Sequence, residues 1–383
     1  MPETGSIDSM KFVFTCGGTA GHINPALAVA LYLKENCPNS EFLFIGAKNM
    51  MEMDLVPREG YRIEGIEITN LSREISWNGL SHNIQTAKNI LSSLQEARRI
   101  LQEFQPDVVV GTGGYVCYPV IRAAHALGIP TVVHESNATP GLTTKLLSQY
   151  ADRILVGVED CRNEFHDKNK VIVTGTPVRG NFFKYTKESA KVELGLQNQS
   201  VVLSVWGSLG SAFMNRVVLE MLPGLAEFSG GRHRFIHVTG MKYYDAFMSE
   251  LLTVLPNFED YGISVYAYIH DMPRIMSAAD LIICRAGAST LSELCYAGKP
   301  AILVPSPNVT NNHQEKNARV LEKNGGAELI LESEINSANL LQKIEALISD
   351  CDKLESMRNH MKSLYQQDSA ELIGQTILGL GNH

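Results

Sequence analysis

Several features that define other classes of protein are missing from this sequence. No apolar run approaches the roughly 18 residues a helix needs to cross a bilayer, which argues against a membrane-spanning helix. No signal peptide precedes Lys11, and the expectation is a cytoplasmic chain; Met1 to Ser9 are polar and patternless and read as an optional extension. Basic runs are absent too. With 33 Lys and Arg against 41 Asp and Glu the net charge is −8, so no nucleic acid is expected as partner, because phosphate backbones demand clustered cations. The seven cysteines are odd in number and scattered, with no C-x-x-C pair, and are expected as reduced, buried thiols rather than as a disulfide framework or a zinc site.

What is present is one pattern used twice. At 383 residues the chain is too long for one ordinary core and reads as two domains. Short β-branched runs alternate with helical patterns at Lys11 onward, Phe42 to Ile45, Asp107 to Val110, Thr131 to Val133, Arg153 to Val156 and Val171 to Val173. The pattern restarts at Ser200 to Val205, Arg234 to Val238, Ile263 to Tyr266, Asp280 to Ile283, Pro300 to Val304 and Glu328 to Leu331, and is helical after Ile335. Strands separated by helices predict an α/β fold with two doubly wound, Rossmann-like parallel sheets, whose ligands bind at the carboxyl edges in a cleft between the halves. Thr176 to Asn198, with Pro177, Gly180 and a charged helix-like segment, reads as the linker.

Each half carries glycine loops directly after strands. The first, Cys16-Gly17-Gly18-Thr19-Ala20-Gly21-His22-Ile23-Asn24-Pro25, ends an apolar strand and is expected to restart as a helix over Ala26 to Leu33, capped by Asn24 and opened by Pro25. A helix N-terminus behind a glycine loop is an address for phosphate or a sugar nucleotide, and His22 at its mouth is suited to act as a neutral base. The second loop is Gly111-Thr-Gly-Gly-Tyr115 and the third Trp206-Gly-Ser208-Leu-Gly-Ser211. A dinucleotide site is disfavoured, because the first loop lacks G-x-G-x-x-G spacing and the second strand ends Phe44-Ile-Gly-Ala-Lys48 without an acid for the ribose. Later, Cys284-Arg285-Ala-Gly287 runs into Ala288, Ser289, Thr290, Leu291, Ser292 and Glu293, a helix start that offers N–H groups to a diphosphate and a carboxylate to ribose hydroxyls. The plainer reading of Glu293, a helix residue facing solvent, is outweighed by the loop and helix start beside it.

These stretches, with His134-Glu-Ser-Asn137, Gly175-Thr-Pro-Val-Arg179 and Asn312-His-Gln-Glu-Lys-Asn-Ala318, resemble in order and over about residues 10 to 380 the MurG family of bacterial glycosyltransferases. The resemblance implies a GT-B fold: an acceptor-binding domain over residues 10–177, a UDP-sugar domain over 178–365 including the linker, and a last helix, about 366–383, crossing back to the first domain. It implies transfer of N-acetylglucosamine from UDP-N-acetylglucosamine to the 4-hydroxyl of undecaprenyl-pyrophosphoryl-N-acetylmuramoyl-pentapeptide in peptidoglycan synthesis, at the cytoplasmic face of the cell membrane. By position, Thr19, Ala20, Gly21 and Asn137 would face the sugar, Arg179 and Ser208 the diphosphate, Ile269 the uracil, Ala288 to Glu293 the diphosphate and ribose, and Gln314 the sugar hydroxyls. His22 matches the family's proposed catalytic histidine. One departure is Trp206, where the family usually has glycine; there it either fills a pocket wall beside the donor or needs an unusual backbone.

The chemistry is consistent with that resemblance. His22 supplies a base, and helix N-termini with Arg179 supply charge stabilisation for the departing diphosphate. No paired catalytic carboxylates stand out, so a single inverting displacement is expected. No metal or other cofactor is expected: Asp350-Cys351-Asp352, the one Asp-x-Asp match, lies among C-terminal helical segments and reads as a solvated turn. Leu80, Ile84, Ala87, Leu91, Leu94 and Leu101 recur at helical spacing, a face that reads as core except for its first turn, a candidate membrane contact. Two competing readings are a UDP-N-acetylglucosamine epimerase on the same architecture and a UDP-sugar-binding subunit without activity.

Overall fold

The computed structural model describes residues 9–68, 77–207, 209–309, 312–366 and 368–381, with the backbone alone for 77–90, 181 and 183. The polar extension at residues 1–8 and the side chains of Leu80, Ile84 and Ala87 lie outside that description. The chain divides into two compact units, Met1–Arg179 with Gln366–His383, and Gly180–Tyr365.

The first unit is built on β1 (Lys11–Thr15), β2 (Glu41–Ala47), β3 (Arg62–Ile66), β4 (Val108–Gly111), β5 (Thr131–Glu135), β6 (Arg153–Val156) and β7 (Val171–Val173). All pairs are parallel and the order is β3-β2-β1-β4-β5-β6-β7. Alternate residues serve opposite faces, as the period of a strand dictates. Phe12, Phe14, Phe44, Val108 and Val110 enter one core cluster, while Val13, Leu43, Ile45 and Val109 enter another. Burial on both faces is why these strands read as continuous apolar runs. Only β3 escapes the sequence pattern, because Arg-Ile-Glu-Gly-Ile at the sheet edge carries charges and a glycine.

The C-terminal helix Ser369–Gly381 belongs to this unit and adds Ile373 and Ile377 to the Phe12 and Phe14 cluster. Its Gly374 lies against Tyr32, where a Cβ would come within 2.4 Å of the ring. In the long helix Trp77–Phe104, Ala97, Ile100 and Leu101 are buried, but Leu91 is 65% exposed, so the core-facing reading holds for the end of the helix and fails at Leu91.

The second unit repeats the plan with β8 (Ser200–Val205), β9 (His233–Val238), β10 (Ile263–Tyr266), β11 (Leu281–Cys284), β12 (Ala301–Leu303) and β13 (Ala327–Leu329), all parallel, in the order β10-β9-β8-β11-β12-β13. The segment read as a linker contains the break between the units, after Arg179, and continues into packed structure of the second unit. Thr186 closes a capping box on the helix Lys187–Glu193. Lys187 and Lys191 from that helix reach the buried Asp280 at 2.5 and 2.7 Å, and Asp280 also accepts the Val201 N–H at 2.8 Å. Two lysines that look solvated in sequence thus neutralise a carboxylate at the amino ends of β8 and β11. Burial raises the Asp280 pKa, but the hydrogen bonds from Lys187 and Lys191 outweigh it and hold it below the ordinary value. Asp350 caps the helix Cys351–Ser363 by accepting the Lys353 N–H at 2.8 Å, a structural use of the lone Asp-x-Asp.

His237 on β9 gives a test of this core. It is fully buried against Phe247, with Nδ1 3.0 Å from Ser204 Oγ, which accepts the Trp206 Nε1–H at 3.1 Å. Burial pushes its pKa down to about 3. The unfolded chain takes up that proton near pH 6.5, so this contribution to stability is complete above that pH and is lost as pH falls towards 3, at up to about 1.4 kcal/mol per pH unit. In chemical denaturation at pH 7.5 and 5.5, His237→Gln is expected to show a smaller loss between the two than the parent. Equal losses would contradict the assignment.

Candidate functional site

In each sheet the strand order reverses once, between β1 and β4 and between β8 and β11. Strands flanking such a point send their following helices to opposite faces and leave a crevice at their carboxyl ends.

At the first point the two glycine loops meet. Gly17 N–H donates to Gly113 O at 3.1 Å, Thr112 N–H donates to Thr15 O at 3.1 Å, and the Cys117 thiol lies 3.1 Å from both Thr15 O and Gly113 O. A Cβ on Gly114 would stand 2.4 Å from Gly17 O, so the close approach of these backbones requires glycine there. The helix behind the loop does not begin at Ala26. It spans Ala20–Asn36, with an extended Thr19 as N-cap whose carbonyl accepts the His22 and Ile23 N–H groups at 3.1 and 3.2 Å. Asn24 therefore caps nothing and Pro25 lies inside the helix, past the first ladder bond from Ile23 to Thr19, so its missing N–H leaves the Gly21 carbonyl without that bond. No side chain caps this N-terminus.

The earlier start puts His22 in the first turn beside Thr19, Ala20 and Gly21. Its Nδ1 is 2.9 Å from Gly17 O and 3.3 Å from Thr19 Oγ1. A carbonyl oxygen only accepts, so Nδ1 carries the hydrogen and Nε2 keeps its lone pair, the form a general base needs. The ring lies on Gly113, where a Cβ would be 2.5 Å from His22 Cδ2, and Thr112 Oγ1 donates to the His22 carbonyl at 2.7 Å.

After β5, Glu135 is consumed by its own loop. It accepts the Asn137 N–H and Nδ2–H at 3.0 and 2.8 Å, the Gly141 N–H at 2.9 Å and the Thr144 hydroxyl at 2.8 Å. His134 is buried, with Nε2 donating to Gly175 O at 3.0 Å, and burial lowers its pKa. These two residues shape the loop and orient Asn137. Arg179 ends the unit with its Nε buried and unpaired among the described residues. Sequence reasoning missed Glu52, fully buried at the start of the helix Glu52–Arg58, whose carboxylate accepts the Gly18 N–H at 3.0 Å and the Ala47 N–H at 2.9 Å. A single glutamate in Asn49-Met-Met-Glu-Met-Asp has no distinguishing signal in sequence.

The second switch point is organised by Arg285. Its guanidinium donates to Val304 O at 3.1 Å, Pro305 O at 3.3 Å and Ser211 Oγ at 3.1 Å, pairs with Glu332, and lies 5.7 Å from the Trp206 ring centre. One cation thereby ties together the loops after β8, β12 and β13. The helix Ala288–Ala297 starts at an extended Gly287 with no side-chain cap, leaving the N–H groups of Ala288, Ser289 and Thr290 outside the helical ladder. Leu291 is buried and its N–H bonds Gly287 O at 3.0 Å, while Ser292 Oγ donates to Ala288 O at 3.2 Å. Glu293 is buried rather than solvent-facing. Gln314 accepts the Ser306 N–H at 2.9 Å, which places it beside the loop after β12, and Asn317 on the same helix, His313–Lys323, donates to Ala286 O at 3.3 Å in the loop after β11. Ile269 lies half-buried between β10 and the helix Met272–Ala278, and Ser208 is outside the described residues. Among the described residues no three His, Cys, Asp or Glu side chains converge as metal ligands.

Comparison with known proteins matches the two units to two family models: the glycosyltransferase family 28 N-terminal domain over residues 12–156 and its C-terminal domain over residues 201–373. The UDP-N-acetylglucosamine--N-acetylmuramyl-(pentapeptide) pyrophosphoryl-undecaprenol N-acetylglucosamine transferase of Acetivibrio thermocellus is 40% identical over 376 residues, 96% of this chain and 97% of its own. The chain belongs to the MurG family. The crystal structure of Acinetobacter baumannii MurG superposes with a TM-score of 0.71 at 27% identity, covering 97% of this chain and 99% of that one. The UDP-GlcNAc 2-epimerase of Neisseria meningitidis, at 16% identity and a TM-score of 0.67 over 97% of this chain and all of its own, shares the fold alone. The two-sheet, Rossmann-like class expected from the MurG resemblance is the class observed.

Trp206, the departure from the MurG pattern, is neither a pocket wall nor a strained residue. It is 3% exposed and packs in the core of the second unit, and Gly207, at φ +80°, makes the turn that follows. The position therefore tests stability. Trp206→Ala is expected to cost about 3–5 kcal/mol, the usual loss for a buried Trp, read by chemical denaturation. A variant as stable as the parent would contradict the core assignment.

Proposed function

We propose that the chain transfers N-acetylglucosamine from UDP-N-acetylglucosamine to the 4-hydroxyl of a lipid-linked N-acetylmuramoyl-pentapeptide by a single inverting displacement. The observation that carries the mechanism is the 2.9 Å approach of His22 Nδ1 to Gly17 O: a carbonyl only accepts, so Nδ1 is the donor and Nε2 is left to take a proton. The first unit binds the acceptor, with Thr19, Ala20, Gly21 and Asn137 around the sugar and His22 removing the hydroxyl proton as the oxygen attacks the anomeric carbon. The second unit binds the donor. The N–H groups of Ala288, Ser289 and Thr290, at the positive end of their helix, hold the diphosphate and stabilise the charge that grows as UDP departs, and Arg179 and Ser208 are the further diphosphate contacts that the MurG pattern implies. Glu293 accepts from the ribose, Ile269 meets the uracil, and Gln314, its amide oxygen already engaged, turns its NH2 towards the sugar hydroxyls.

The acceptor's lipid stays in the cytoplasmic membrane, so the protein works at that surface. No described helix is long and apolar enough to cross a membrane. On the short helix Leu142–Leu147, Leu142 and Leu146 are 56% and 45% exposed beside Lys145, and Leu91 is exposed in the same unit, which supports peripheral contact through apolar side chains with a cation nearby.

The test is incubation with labelled UDP-N-acetylglucosamine, with and without the lipid-linked acceptor. Label should appear in the acceptor only when it is present. Epimerised nucleotide without acceptor, or bound UDP-sugar with no turnover, would overturn the proposal. His22→Ala should lower turnover by about 10²–10⁴-fold, the usual contribution of a general base, with little change in the Michaelis constant for the donor. Near-normal turnover in a folded variant would remove His22 from the chemistry, and Glu135, bound on all sides, could not take its place without breaking its loop.

A further inference from the structure

The loop that carries His22 contains a peptide unit held from both ends. Gly17 C=O and Gly18 N–H belong to one planar trans peptide, so they point in opposite directions. Gly18 N–H donates to Glu52 Oε2 at 3.0 Å, and Gly17 O accepts Nδ1–H of His22 at 2.9 Å. The carboxylate and the imidazole thus face each other through a single amide.

Sterics alone do not set that amide's orientation. It lies between two glycines, one at φ +80°, and a peptide between glycines turns over more readily than any other. Turned over, it would present N–H to His22, and Nδ1 would have to accept, which moves the hydrogen to Nε2 and removes the base. Glu52 prevents this. Its other oxygen takes the Ala47 N–H at 2.9 Å at the end of β2, so the side chain cannot follow a turning peptide. The backbone makes room for it in two places: a Cβ on Gly46 would stand 2.6 Å from Glu52 Cγ, and one on Gly17 would stand 2.3 Å from Oε1. A charge this deeply buried is costly unless its acceptors are used, and here both oxygens accept.

We infer that Glu52 is the positioning residue for His22, selecting its Nδ1–H tautomer and ring direction through the Gly17–Gly18 peptide. Glu52 touches neither substrate in this scheme; it does through an amide what an acid hydrogen-bonded directly to a catalytic histidine does elsewhere. The inference rests on the reading of His22 as the base, and the test separates the two. In Glu52→Gln one of the two N–H donors faces an NH2 group, and kcat is expected to fall about 10–100-fold, the cost of a misplaced catalytic group, while the Michaelis constant for UDP-N-acetylglucosamine moves less than about twofold. In a His22→Ala background the same substitution should change kcat by less than about twofold, because the two residues act as one unit. If His22→Ala alone is nearly as active as the parent, the base reading fails. If His22→Ala is slow and Glu52→Gln still exacts its full loss on top of it, only the positioning role fails. Nitrogen-15 spectra of histidine-labelled full-length parent need no variant to fold: neutral His22 should show a protonated Nδ1 and a bare Nε2, and the opposite tautomer would overturn the inference.

Discussion

Two parallel strands that lie side by side but send their chains to opposite faces of a sheet leave a gap at their carboxyl ends, and both units of this protein are built around that gap. The backbone turns sharply there, so glycines collect: Gly17, Gly113 and Gly114 at one switch point, Gly207, Gly210 and Gly287 at the other. A helix then starts with its N–H groups facing the gap. Two of the groups the proposal relies on, His22 in one unit and the N–H groups of Ala288 to Thr290 in the other, lie within a turn of such a start.

Loops of this kind are held by polar side chains that are largely shielded from solvent. Glu52 ties the loop after β1 to the end of β2, Glu135 closes the loop after β5 on itself, and Arg285 joins three loops of the second sheet. A buried charge left unpaired would be costly, and these carry several partners each, so the loops have one arrangement rather than many. Among the described residues the Nε2 of His22 and the first amides of the Ala288–Ala297 helix are left uncommitted, and these are the groups to which the proposal gives the proton and the diphosphate.

Much of this was legible in sequence for physical reasons. Strands buried on both faces must be apolar throughout, which made β1, β4, β8 and β11 plain, whereas β3 at the sheet edge carries charge and was invisible. The glycine loops were legible because only glycine tolerates their backbone. The start of the first helix was not, since Asn-Pro imitates a cap and the true cap, Thr19, works through its carbonyl. The burial of Trp206 and the packing of the helix Lys187–Glu193 were not legible, because groups beside them, Arg285 and Asp280, come from distant parts of the chain. Glu52 was missed for the same reason: its meaning lies in two backbone amides that only the folded sheet brings to it.

The assignment of donor chemistry to the second switch point and acceptor chemistry to the first is the central claim, and a crystal structure with UDP bound tests it most directly. The account predicts diphosphate oxygens on the N–H groups of Ala288, Ser289 and Thr290, with the ribose hydroxyls donating to Glu293. UDP seated instead on the Gly17 to Gly21 loop beside His22 would contradict it.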